Sequence, residues 1–99
     1  MKNILWYLLA GSRGGPTRAK ILYELHEKPR NANQLATDLK LDYKTIQHHL
    51  RTLLKHQLLT TLNQNNYGQV YFITPELESS WPDFTLIWAQ FGSNLGKVK

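Results

Sequence analysis

The sequence contains no cysteine. Disulfides and thiolate metal sites are therefore excluded, and the chain fits a reducing compartment, with cytoplasmic location as the expectation. Acidic residues are scarce: 7 Asp and Glu stand against 12 Lys and Arg, a net charge of +5. Such a balance points to a polyanionic partner. Long apolar runs are absent too. The run Ile4–Ala10 is far too short to span a bilayer, so no membrane partner is expected. It lies at the low limit for the core of a secretory signal, with Ala10-Gly11-Ser12 as the cleavage site. We read residues 1–10 instead as a short helix or strand that packs on the domain or on a second subunit.

The chemistry of enzymes is missing as well. No nucleophile stands at a useful spacing from a base, and GSRGGPTR (residues 11–18) lacks the spacing of a phosphate-cradling loop. The four histidines form no clear ligand set. His48 and His49 are adjacent and project about 100° apart on a helix, and His49 and His56, which share a side, read as core or solvated imidazoles. No enzymatic activity, cofactor or bound metal is expected.

What is present is one domain's worth of chain, 99 residues with 41% apolar content, enough for an adequate but not large core. The positive charge is not spread evenly. Residues 1–56 hold ten Lys and Arg against four Asp and Glu, residues 57–74 hold no charged side chain, and residues 75–99 are net negative by one.

The centre of the basic part is DYKTIQHHLRTLLKHQ, residues 42–57. At about 100° per residue, Tyr43, Ile46, Leu50, Leu53 and Leu54 fall on one helix face. Lys44, His48, Arg51 and Lys55 fall on the opposite one, flanked by Thr45 and Gln47. Asp42 has the short carboxylate of an N-cap. An apolar stripe backed by a basic, hydrogen-bonding stripe suits a helix held from behind by a core and laid in a DNA major groove. A polar face is also what any solvated helix shows, so the flanking elements decide.

Upstream, Pro16 opens a helix over residues 16–28, with Ile21, Leu22 and Leu25 inward and Glu24 spaced to pair with Lys28. Arg18 sits near its inner side, placed to bond a carboxylate, a neighbouring loop or a phosphate. Arg13, in the preceding glycine-rich break, is within reach of a phosphate. A second helix covers residues 31–40, with Asn31 and Gln34 at capping-box spacing. Leu41-Asp42 then turns into the third helix, which completes a helix-turn-helix. Downstream, residues 58–74 change to β-branched and aromatic runs around Asn65-Asn66-Tyr67-Gly68, a hairpin with a polar, uncharged tip. The fold class that follows is mainly α with a small β-hairpin, a winged helix-turn-helix over residues 11–75. Apolar segments add to it at residues 1–10 and 76–99.

In the last segment Pro75 closes the second strand, Ser79 or Ser80 caps a final helix and Pro82 lies in its first turn. Trp81, Phe84, Ile87, Trp88, Phe91 and Leu95 form a narrow stripe. Together with Leu5, Trp6 and Leu9 it reads as a dimer interface, where aromatic anchors are favoured. The alternative is packing within the chain, against residues 4–9.

The run NQLATDLKLD, then T-I-x-x-H-L-x-x-L at residues 45–53, then YGQVYFIT resembles the ArsR-like winged-helix regulators, and with RGG and LDYKT it is similar to small archaeal proteins of that group. The likeness covers roughly residues 11–75. It implies a homodimeric, sequence-specific reader of double-stranded DNA. Lys44, Thr45, Gln47, His48 and Arg51 would face the groove and Lys55, Arg13 and Arg18 the backbone. The wing tip, Asn65, Asn66 and Tyr67, would touch the flank. His49 matches a packing position. Metal-sensing members use Cys pairs or His/Asp/Glu sets, which this chain lacks. The rival reading is a winged helix that docks another protein in a larger assembly.

Overall fold

The computed structural model describes residues 1–62 and 68–91, with Phe91 described by its backbone alone. The elements run α1 (Lys2–Leu9), α2 (Gly15–Glu27), β1 (Arg30–Asn31), α3 (Ala32–Leu39), α4 (Tyr43–Lys55), β2 (Leu59–Thr61), β3 (Val70–Ile73), α5 (Pro75–Ser79) and α6 (Trp81–Phe91). They form a winged helix-turn-helix, mostly helical with one small antiparallel sheet.

The helix-turn-helix is fixed by its caps. Asn31 Oδ1 accepts from the Gln34 backbone N–H at 2.8 Å, and Gln34 Oε1 accepts from the Asn31 N–H at 2.9 Å. This is the reciprocal box that the spacing predicts. Helix α3 ends on Lys40, which takes the left-handed conformation (φ 57°, ψ 47°) and turns the chain. Asp42 then caps α4, its carboxylate accepting from the Thr45 N–H at 3.1 Å. Each such cap contributes about 1 kcal/mol and sets the residue at which the helix begins.

The sheet order is β1-β3-β2. Strand β3 pairs with β2 through Leu59 opposite Ile73 and Thr61 opposite Tyr71, and with β1 through Arg30 opposite Tyr71. Strand β1 was not expected, since two residues carry no alternation to read. Its Arg30 also redirects Glu24. The guanidinium lies 3.2 Å from the Glu24 carboxylate and 3.1 Å from that of Asp38. The Glu24–Lys28 pair gives way to a fork that binds two carboxylates at once.

One core runs through the molecule. Ile46, Leu50 and Leu53 of α4 pack with Ile21, Leu22 and Leu25 of α2, with Leu35, and with Leu58, Tyr71 and Leu77. Leu5, Leu8 and Leu9 of α1 and Phe84 and Ile87 of α6 belong to the same cluster, and α1 packs directly on α6. This corrects part of the dimer expectation. Leu5, Leu9, Phe84 and Ile87 are buried within their own chain, because α1 and α6 cover each other's apolar stripes. Trp81 is half-buried, stacked on His26 at 3.8 Å and on Phe84 at 4.2 Å between ring centroids. Trp88 is partly buried against the core. Facing outward are Trp6 at 36%, Tyr7 at 58% and Leu86 at 56% exposure. The Phe91 side chain and Leu95 lie outside the described residues.

Pro75 does end β3, and it also opens the short helix α5, capped by Thr74 Oγ1, which accepts from the Leu77 N–H at 3.1 Å. The C-terminal segment therefore arrives in two pieces. Pro82 lies in the first turn of α6 as expected, where the Ser80 carbonyl accepts from Asp83 and Phe84.

Candidate nucleic-acid interface

Burial of Ile46, Leu50 and Leu53 fixes which way α4 faces, and Lys44, Thr45, His48, Arg51 and Lys55 are consequently all exposed. Gln47 is half-buried at the edge of that face, donating to Tyr43 Oη at 2.6 Å. Arg51 and Lys55 border an open groove whose other wall is Thr60 and Thr61 of β2. Arg13 is exposed in the turn between α1 and α2. Asn65, Asn66 and Tyr67, at the expected wing tip, lie outside the described residues.

Arg18 does not join this set. It is 8% exposed, and its Nη1 donates to the Leu8 carbonyl at 2.9 Å and to Ser12 Oγ at 2.6 Å. Of the three roles its position allowed, the loop wins. The guanidinium closes the carboxyl-terminal end of α1, where exposed carbonyls favour a cation. Burial pulls its pKa below the ordinary arginine value, but a guanidinium keeps its proton in proteins. The cost is therefore one of desolvation, offset by those two bonds.

The back of α4 meets the same junction. His49 is 7% exposed. A Cβ on Gly14 would come within 2.7 Å of His49 Cε1 and 3.1 Å of Arg18 Nη2, so the glycine lets the α1–α2 turn, Arg18 and α4 close on one another. Burial, then the Arg18 charge, then His48 push the His49 pKa down. His49 is therefore held neutral in the folded protein. As pH falls through about 6.5, the unfolded chain takes a proton that the folded site resists, so stability falls toward acid and is flat above that range. Urea titrations at pH 7.5 and 5.5 are expected to show this loss in the natural chain and a smaller one in His49→Gln. Equal losses would show that His49 does not carry the pH dependence.

Tyr43 was counted with the apolar stripe, yet it is 44% exposed. It lines a pocket of about 130 Å³ together with Asn31, Asn33, Gln47, Gln69 and Tyr71. No periodicity marks this set, because it joins the starts of α3 and α4 to the base of the hairpin across distant stretches of chain. Among the described residues no three His, Asp or Glu side chains come together as metal ligands, and no helix is long and apolar enough to cross a membrane.

The family model for the bacterial regulatory protein, arsR family, matches residues 15–61. Those residues span α2 through β2. No curated protein matches the chain. Among solved structures, the transcriptional regulator BldR from Sulfolobus solfataricus is 16% identical, with a TM-score of 0.69, over 95% of this chain and 68% of that one. Rv0081 from Mycobacterium tuberculosis is 22% identical, with a TM-score of 0.69, over 94% and 90%. ZitR from Lactococcus lactis, solved in complex with DNA, is 15% identical, with a TM-score of 0.63, over 87% of this chain and 60% of its own. At these identities the likeness is one of fold.

Proposed function

We propose, from an ArsR-like winged helix whose outward helix face is basic, that this chain binds double-stranded DNA as a transcriptional regulator and works in the cytoplasm without enzymatic activity. The observation that carries the reading is α4 itself. Lys44, His48, Arg51 and Lys55 stand exposed on one side of a helix whose other side is buried core. In a major groove, Lys44, Thr45, Gln47, His48 and Arg51 would face base edges and nearby phosphates. Lys55 and Arg13 would hold the backbone, and the hairpin with Asn65, Asn66 and Tyr67 would lie on the flank. The solved DNA complex of a structural neighbour supports the same use of the fold. Selection of bound duplexes, followed by binding at two salt concentrations, tests it. Specific binding persists at moderate salt, whereas generic attraction collapses; a chain that enriches no sequence is not a sequence-specific regulator.

The same reading includes a homodimer with half-sites about one helical turn, roughly 34 Å, apart. Tyr7 and Leu86 are large apolar side chains left outward on two helices that pack together, and such residues favour an interface. Cutting the chain at Pro75 would uncover Leu5 and Leu8, so it tests folding as much as association. Tyr7→Glu combined with Leu86→Glu avoids that. Light scattering is expected to give a dimer for the natural chain and a monomer for this variant, with melting temperatures close together. An unchanged mass would move the interface away from α1 and α6. A monomeric natural chain would end the two-half-site reading and favour docking to another protein.

A further inference from the structure

We propose that the pocket between α3, α4 and the hairpin base seats one backbone phosphate of the bound duplex through uncharged donors; the proposal rests on the DNA-binding reading above. The pocket's place is the first argument. Tyr43 and Gln47 line it from the first turns of α4, next in sequence to the exposed Lys44 and His48. Asn31 and Asn33 line it from the start of α3, and Gln69 and Tyr71 from the hairpin. A duplex held against α4 would pass its mouth.

Size is the second argument. About 130 Å³ is below the roughly 300 Å³ at which pockets for organic ligands begin. The pocket takes one group of a larger ligand rather than a whole effector molecule.

The third argument is hydrogen-bond balance. The lining holds four side-chain amides and two phenols and no charged group. Gln47 Nε2 donates to Tyr43 Oη at 2.6 Å, and Gln69 Nε2 donates to Tyr71 Oη at 2.8 Å. Both phenol oxygens act as acceptors there, so each keeps its own O–H to donate. Tyr71 is 3% exposed, and among the described residues its hydroxyl hydrogen has no acceptor. A buried donor without an acceptor is costly. The Asn33 amide likewise has no partner among the described residues. The site thus has donors in excess. A base edge or a sugar hydroxyl brings donors of its own, whereas the non-bridging oxygens of a phosphodiester only accept. Amides and phenols are ordinary phosphate partners in protein–DNA contacts. With no cation in the lining, the seat depends on the rest of the interface to bring the phosphate in, so it belongs to a polymer-borne phosphate and not to the free ion.

The test uses the full chain, the selected duplex and the variants Tyr71→Phe, Asn33→Ala and Lys44→Ala, each first checked for an unchanged melting temperature. Tyr71→Phe and Asn33→Ala are each expected to weaken binding about tenfold, the scale of one hydrogen bond to a charged group. They leave the slope of log K against log salt as it was, because no cation is removed. Lys44→Ala lowers that slope by about 0.9. A scan of single methylphosphonates along the duplex is expected to find one position that weakens the natural chain and has little effect on Tyr71→Phe. Undiminished affinity in both variants, full additivity at every methylphosphonate, or a loss that depends on base sequence would each overturn the seat while the DNA reading stands. Saturable binding of inorganic phosphate, abolished by Tyr71→Phe, would overturn the duplex assignment in favour of a free-anion site. If the natural chain binds no duplex at any salt, the DNA reading fails and the seat fails with it.

Discussion

Gly15→Ala is expected to destabilise the fold by about 3 kcal/mol or more, which lowers the melting temperature of a domain this size by roughly 15 °C. Gly15 is buried at the start of α2, where an added Cβ would stand 1.9 Å from the Leu9 carbonyl oxygen and 2.6 Å from its carbon. The obstruction is backbone, not the end of a flexible side chain, so relief requires α1 to back away from α2. Leu5, Leu8 and Leu9 would move with it, and so would the face that α1 shares with α6. Alanine's better helix propensity returns at most about 1 kcal/mol, so the steric effect wins. Gly14→Ala is the comparison. Its Cβ would meet side-chain atoms of His49 and Arg18, which can swing aside, and a smaller loss is expected. Thermal unfolding followed by circular dichroism reads both. A Gly15→Ala melt within a few degrees of the natural chain would show that α1 is not locked against α2.

Much of this architecture was legible in the sequence where local chemistry determines it. Asn31 with Gln34, Asp42 ahead of a 3.6-residue stripe, and β-branched runs about a polar turn each carry their own geometry, and α3, α4 and the hairpin stand where those signals put them. Contacts between distant residues were not legible. Arg30 reads as one more surface cation until β1 brings it to Asp38, and Arg18 reads as a phosphate ligand until α1 offers its Leu8 carbonyl. The aromatic stripe of α6 has the composition of an interface and of a core alike. Only the packing of α1 upon it shows that Phe84 and Ile87 are core. Tyr43 failed in the other direction. Apolar periodicity assigned it inward, yet as the first residue of α4 it projects beyond the core and meets the pocket instead.

These placements also narrow which arginine reads sequence, and the second large effect follows from them. Arg51→Ala is expected to weaken binding to the selected duplex by about 1–3 kcal/mol, about tenfold to over a hundredfold, and to relax the preference at one base position. Arg18 is committed to the end of α1 and Arg30 to two carboxylates. Arg51 is exposed on α4, and among the described residues it has neither hydrogen bond nor ion pair. Its planar fork fits the O6 and N7 acceptors of guanine, which a lysine contacts only as a point charge. Arg51→Lys therefore separates two roles. If Arg51 reads a base, lysine keeps the salt dependence and loses most of the discrimination at that position. If it only neutralises phosphate, lysine restores affinity and preference together, while alanine lowers the salt slope by about 0.9 and weakens all sequences alike. Undiminished affinity and an unaltered selected sequence in Arg51→Ala would remove it from the interface and leave base reading to Gln47 and His48.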